Sequence, residues 1–213
     1  MSTPKIVLVL GTTYTGKSYA AGELARHISR KFVVIVHTHP DRSYLLPEGR
    51  TRWIAVRSPH CTITPAFLSE TRKHCRYLYL SIYDLSLPQT RLFLSSLAAA
   101  IRGVGDLALF VDEAHLFCGY QRVPEDFAGF IRGARFWGVD VVLVTHRLKD
   151  IDPGIRCVLT HLVVFRTTEQ SDIELLGREL GMEGAAERVR ALPDWEHLFV
   201  DRRTRLISPP QRV

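Results

Sequence analysis

An α/β fold, with a mostly parallel central sheet and helices on both faces, is what the sequence predicts, on three observations. Short β-branched apolar runs alternate with helical patterns along the whole chain, as expected when each strand of a parallel sheet returns through a helix. One run, 107–111, is wholly apolar, as suits a central strand covered on both sides. The 213 residues are 46% hydrophobic and 23% charged, with no repeat, low-complexity tract or linker. That is enough for one core, so a single domain over 1–213 is expected.

The elements follow in order. Residues 5–10 read as the first strand and run into a glycine motif, with a helix over about 17–30. Strands are expected at 32–37, 52–56 and 77–82, the last two separated by a polar, proline-marked region. Pro88 suits a helix start, and Gly103 and Gly105 end that helix after about Arg102. After the 107–111 strand come a helix near 124–137, a strand at 139–145 and another at 161–166. Helices near 171–180 and 183–191 precede an edge hairpin at 198–201 and 205–207.

Composition narrows the function classes. No apolar run approaches the ~20 residues that cross a bilayer, so a chain without a transmembrane segment, located in the cytoplasm, is expected. Cys61, Cys75, Cys118 and Cys157 lie far apart with no paired spacing, which argues against a zinc site and for buried free thiols. The net charge of +6 is uneven: residues 1–105 carry 14 Lys/Arg against 5 Asp/Glu, and residues 106–213 carry 14 against 17. The densest stretch holds Arg42, Arg50, Arg52, Arg57, Arg72, Lys73 and Arg76, opposed by Glu48 and Glu70. It reads either as a polyanion-binding patch or as a solvated basic face. Trp53 and Tyr44 lie within it but form no stacking pattern.

The chemistry is concentrated in two motifs. Gly11-Thr12-Thr13-Tyr14-Thr15-Gly16-Lys17-Ser18 fits G-x-x-x-x-G-K-[ST] at every fixed position, after a strand and before a helix. Glycines let the backbone N–H groups face phosphate oxygens, and the helix N-terminus adds positive charge. The nucleotide, ATP, is therefore expected on Gly11, Thr12, Thr13, Tyr14, Thr15, Gly16, Lys17, Ser18 and Tyr19. Lys17 should reach the β- and γ-phosphates and Ser18 should bind Mg²⁺. The apolar run 107–111 ends in Asp112-Glu113, the Walker B pattern: Asp112 for the metal, Glu113 as general base toward the attacking water. An acid directly after the metal aspartate suits a hydrolase better than a small-molecule kinase.

Thr145 and His146 end the next strand, where a polar side chain is either a γ-phosphate sensor or a satisfied strand end. Arg132 and Arg135, three residues apart on the preceding helix, read as candidate arginine fingers toward a neighbouring subunit or as surface arginines. His37, Thr38, His39 and Asp41, at the end of the second strand, either line the nucleotide or DNA path or form a plain loop; a metal site on His37 and His39 lacks further ligands.

The stretches LALFVDEAH, IRGARFWGVDVVLVTHRLKDIDPGIR and THLVVFRT resemble the HerA/FtsK superfamily of nucleic-acid-pumping ATPases, P-loop proteins of the RecA-like/ASCE type. The ending ALPDWEHLFVDRR is similar too. The family usually carries glutamine where this chain has His146. The resemblance implies an ATP- and Mg²⁺-dependent hydrolase that works as a homo-oligomer, usually a hexameric ring, on double-stranded DNA.

Larger members carry additional domains, which do not fit in this length. A core of this size looks most like the genome-packaging ATPases of viruses and phages. That implies a capsid or vertex protein as a further partner, and a place in the host cytoplasm or the virion. The alternative is an ATP-dependent phage assembly or secretion factor similar to the zonula occludens toxin. A nucleoside kinase is the other rival, since thymidine kinase-like enzymes share the P-loop and an Asp-Glu-Ala strand end; they carry paired-cysteine zinc ligands, which this chain lacks. Asp112-Glu113-Ala114-His115 also spells a helicase motif, but those enzymes need a second domain.

Overall fold

The computed structural model describes residues 3–39, 46–60, 63–119, 123–180, 184 and 186–213. Asp41, Arg42, Tyr44, Cys61 and the start of the helix expected at Glu183 lie outside the described residues.

The strands are β1 (Ile6–Leu10), β2 (Val33–His37), β3 (Thr51–Ala55), β4 (Tyr77–Ser81), β5 (Ala108–Val111), β6 (Asp140–Thr145), β7 (His161–Phe165), β8 (Glu196–Asp201), β9 (Leu206–Ile207) and β10 (Gln211–Arg212). The helices are α1 (Lys17–His27), α2 (Pro65–His74), α3 (Leu87–Val104), α4 (Glu125–Gly133), α5 (Pro153–Val158), α6 (Gln170–Leu180) and α7 (Ala186–Arg190). One sheet runs β10-β8-β7-β1-β6-β5-β2-β4-β3, with β9 also on β8. The seven strands from β7 to β3 are mutually parallel, whereas β8 to β10 pair antiparallel.

Alternation along the strands sorts the core into two layers. Leu8, Leu10, Val34 and Leu109 face a layer filled by α2 to α7, including Leu68, Phe93, Leu97, Phe130, Ile155 and Leu176. Val7, Val9, Ile35 and Phe110 face the opposite layer with Ala20, Ala21 and Ala25 of α1. Helices therefore cover both faces, unevenly. Small alanines on α1 bring that helix close to the sheet and hold the loop before it against the strand ends.

Three elements escaped the sequence reading, and one was shorter than expected. α2 fills the polar stretch between β3 and β4: Thr64 Oγ1 accepts from the Phe67 N–H at 3.0 Å, and Pro65 opens the first turn. α5 is a six-residue helix capped by Asp152, whose carboxylate accepts from the Gly154 and Ile155 N–H groups. β10 is two residues long. α1 stops at His27 because Ile28 is extended.

β6 lies between β1 and β5, so three strand ends rather than two converge on one place. In register, Leu10 stands beside Thr145, and Val111 beside both Leu143 and Val36. Asp112 therefore follows level with His37, and Glu113 level with Thr145. Among the described residues, no helix is long and apolar enough to cross a membrane.

Candidate functional site

The C-terminal ends of β1, β2, β5 and β6 open into a cleft of about 660 Å³. Its floor is the 11–18 loop. Gly11 is required by close approach: a Cβ there would lie 2.6 Å from the Phe165 Cβ. Gly16 sits at φ +101°, a left-handed conformation that releases the chain into α1. The loop is fastened from below, since Thr12 N–H donates to Arg166 O at 3.0 Å. Buried Thr15 donates through Oγ1 to Thr12 O at 2.8 Å.

Lys17 is buried, with Nζ donating to Thr12 O at 2.5 Å. Burial pushes its pKa down to about 8, partly countered by the charges of Glu113 and Asp112. An ammonium held back by desolvation and resting on a loop carbonyl is one that a polyphosphate would draw forward.

Asp112 is buried and receives His37: the Nε2–Oδ2 distance is 3.0 Å. His37 Nδ1 lies 3.1 Å from the His39 N and 3.0 Å from the His39 O, so the ring is pinned by the His39 backbone on one side and by Asp112 on the other. That holds the carboxylate. His37 is thus committed to Asp112 and is not part of a His37–His39 metal pair.

Glu113 stands at φ +47°, an uncommon conformation for a non-glycine residue. His146 Nε2 lies 2.8 Å from its Oε1. Its Oε2 is 3.3 Å from His115 Nδ1, without hydrogen-bond geometry, and both atoms are buried without a hydrogen-bond partner. Burial pulls the Glu113 pKa up. The His146 hydrogen bond and the charges of His146, His115 and Lys17 outweigh it, and the carboxyl ends below its ordinary value. Burial likewise lowers His115, against the pull of Glu113. The result is an ionised carboxylate with one oxygen hydrogen-bonded to His146 and the other buried beside His115.

The sequence-predicted residues divide. Thr13, Tyr14, Gly16, Lys17, Ser18, Tyr19, Asp112, Glu113 and His146 line the cleft together, while Gly11, Thr12 and Thr15 build the loop beneath. Thr145 lines the cleft as well, with its Oγ1 held at its own strand end, 3.2 Å from the Arg147 N–H that donates to it. Arg132 and Arg135 are not in this cleft. The α-helix ends at Gly133 and a tighter turn, Ala134–Trp137, follows. The two arginines accordingly find different neighbours: Arg132 pairs with Glu125, and Arg135 stacks on Phe136 at 5.0 Å. Both are exposed.

Sequence reading missed His115, set aside as part of a coincidental motif, and Trp195, which lines the cleft from the turn before β8. The buried-thiol expectation holds for Cys118, whose pKa burial pushes up to about 12. It fails for Cys157, which is exposed on α5, and Cys75 is half-buried.

The residues present fit a magnesium–nucleoside triphosphate. The loop excludes a Cβ at Gly11, the buried lysine rests on a loop carbonyl, and Asp112 and Glu113 line the cleft beside it. Ser18 and Asp112 would hold the metal.

Solved structures share this fold. The genome packaging NTPase B204 from Sulfolobus turreted icosahedral virus 2, in complex with AMPPCP, superposes with a TM-score of 0.72 at 20% identity, each chain covering 100% of the other. VirB4 of Thermoanaerobacter pseudethanolicus is similar at a TM-score of 0.69 and 14% identity, over 99% of this chain and 90% of that one. The N-terminal domain of zonular occludens toxin from Neisseria meningitidis is similar at 0.51 and 12%, over 100% and 96%. No protein-family model matches the chain, and no curated protein does.

The basic stretch sorts at the other end of the sheet. Arg50, Arg72, Lys73 and Arg76, with Lys31 and His74, line a shallow concavity of about 290 Å³ beside the starts of β2, β3 and β4. Lys73 pairs with Glu70, and Arg76 donates to Arg26 O and Ile28 O. Arg52 instead lies over Phe67 at 4.9 Å, and Arg57 is exposed beyond the far end of β3.

Proposed function

We propose that the chain is the ATP-hydrolysing subunit of a DNA-translocating motor of the kind that packages a viral or phage genome. The observation that carries the chemistry is the convergence of Lys17, Ser18, Asp112, Glu113 and His146 on one cleft. Lys17 leaves Thr12 O for the β- and γ-phosphates, and the loop N–H groups hold the remaining oxygens. Magnesium, when bound, neutralises phosphate charge. Glu113 accepts the proton of the attacking water, and His146 holds its Oε1 in place. What supports the motor over other ATPases is the full-length likeness to a packaging NTPase in both directions.

The exposed Arg132 and Arg135 are then placed to act across a subunit boundary in a homo-oligomeric, hexameric ring, one of them as the finger. The basic concavity is the candidate contact with double-stranded DNA, and a capsid or vertex protein would dock the ring. The working location is the host cytoplasm or the virion. The secretion or assembly reading draws support from the likeness to the zonular occludens toxin domain. A carboxylate base at Glu113 would serve a nucleoside hydroxyl as well as a water, so the nucleoside kinase reading is decided by the assay.

The test is steady-state ATP hydrolysis with and without double-stranded DNA, with Lys17→Ala as the blank. DNA should stimulate turnover several-fold, an effect that fades with salt as counterion release predicts. Turnover indifferent to DNA would leave the assembly factor standing, and ADP formed only with a nucleoside would make the protein a kinase.

A further inference from the structure

We propose that Trp195 and Tyr19 form the base-binding platform of the nucleotide cleft, stacking on the aromatic base of a nucleoside triphosphate with a preference for purines. This rests on the reading of the cleft as a nucleoside triphosphate site.

Polarity of the cleft comes first. Glu113, Asp112 and His146 mark the end where the γ-phosphate is attacked, and Lys17 with the loop marks the phosphate run. The base must leave at the opposite end, and there the lining changes from charged to aromatic: Tyr19 and Trp195, with Tyr14 at the mouth. These three are exposed by 37%, 44% and 90%. Exposed aromatics gathered on one rim imply a ligand that covers them.

The backbone of Trp195 adds an independent argument. Glu196 N–H donates to Pro193 O at 3.3 Å, and Trp195 takes φ +70° within that turn. Glycine or asparagine is favoured at such a position, and a bulky residue there is an outlier. The surroundings over-determine the conformation. Trp195 N–H donates to Thr15 O at 3.1 Å, Trp195 O accepts from the Val213 N–H at 3.0 Å, and Arg166 holds Asp194 at 2.7 Å.

Among the described residues, the hydrogen bonds to Trp195 are made by its main chain, so they do not require an indole. The indole nevertheless lies against Gly16 and meets the Tyr19 ring edge-on, centroids 6.0 Å apart. A strained position filled by a large aromatic on the rim of the site is a functional placement. Stacking reads the π-face and its area, so ATP and GTP should bind alike and better than CTP or UTP.

Calorimetric titration of the full chain with ATP, GTP, CTP and inorganic tripolyphosphate tests this in wild type, Trp195→Ala, Trp195→Phe and Tyr19→Ala. Trp195→Ala should weaken ATP and GTP about ten-fold and leave tripolyphosphate unchanged. Trp195→Phe should restore most of the loss and remove the quenching of tryptophan fluorescence by ADP that the platform predicts for wild type. Equal weakening of ATP and tripolyphosphate by Trp195→Ala would reduce Trp195 to a support of the loop. Unchanged ATP affinity in both Trp195→Ala and Tyr19→Ala would overturn the platform outright. If Trp195→Ala does not fold, the Trp195→Phe and Tyr19→Ala titrations decide. A wild type that binds neither nucleotide nor tripolyphosphate would remove the nucleotide site itself.

Discussion

Two sets of buried charges sit at opposite ends of the same strands, and they are built differently. At the N-terminal end, Arg30 and Asp140 are both buried and nearly saturated with partners. Arg30 Nε donates to Asp140 Oδ2 at 2.8 Å and Nη1 to Asp106 Oδ1 at 2.7 Å. Asp140 Oδ1 also accepts from the Lys5 N–H at 2.7 Å. At the C-terminal end, Glu113 Oε2, His115 Nδ1 and His146 Nδ1 are buried without hydrogen-bond partners, and Lys17 rests on a loop carbonyl. Buried polar groups are normally satisfied because leaving one bare costs about 1–3 kcal/mol. The lower cluster holds the fold together, while the upper one keeps open valences for a reactant.

The largest expected effect tests the upper cluster. Glu113→Gln removes the proton acceptor while keeping shape and the contact with His146. Turnover should fall by about 10²–10⁴-fold, with ATP affinity and melting temperature little changed. A stability loss comparable to the activity loss would erase the proposed contrast.

The mirror experiment is Asp140→Ala. It leaves the buried Arg30 with Asp106 as its remaining carboxylate and the Lys5 N–H without its acceptor. Breaking a buried pair by removing one partner costs about 3–5 kcal/mol, so denaturant unfolding should shift by that amount. The folded fraction should keep its nucleotide affinity. Specific loss of nucleotide binding in a well-folded Asp140→Ala protein would show that the two ends are coupled.

Legibility in the sequence follows the same division between local and assembled features. The 11–18 loop and the Asp112-Glu113 strand end were readable because each packs its chemistry into contiguous residues, with an apolar strand beside it. The alternating strands and helices gave the sheet. His37 was visible as a strand end, but its bond to Asp112 depends on the register of β2 against β5, which no local pattern states. Trp195 reaches the cleft through a turn far along the chain, and its positive φ has no sequence signature when the residue is not glycine. Arg132 and Arg135 were legible as exposed cations, but their neighbours, Glu125 and Phe136, follow from the packing after Gly133 and have no local signature. The basic stretch was legible as charge, but folding divided it: Arg52 covers Phe67, whereas Arg50 and Arg72 open to solvent.

The smallest expected effect concerns the two cations that anchor these clusters. Arg30 is a guanidinium that stays charged across the accessible pH range, whereas burial has brought Lys17 down to about 8. A phosphate ligand needs the ammonium and raises its pKa on binding. Below pH 8 both free and bound sites are protonated, and affinity should be flat. Above it the free site loses its proton first, so binding must take one up, and affinity should fall toward a limit of about ten-fold per pH unit. Titration of tripolyphosphate between pH 7 and pH 9.5 measures this slope without the base or its turnover. Lys17→Met should bind weakly and report the ligand's own ionisation over this range, against which the wild-type slope is read. A wild-type profile no steeper than that of Lys17→Met would mean that the ammonium stays charged throughout. The upper cluster would then hold its cation as firmly as the lower one holds Arg30.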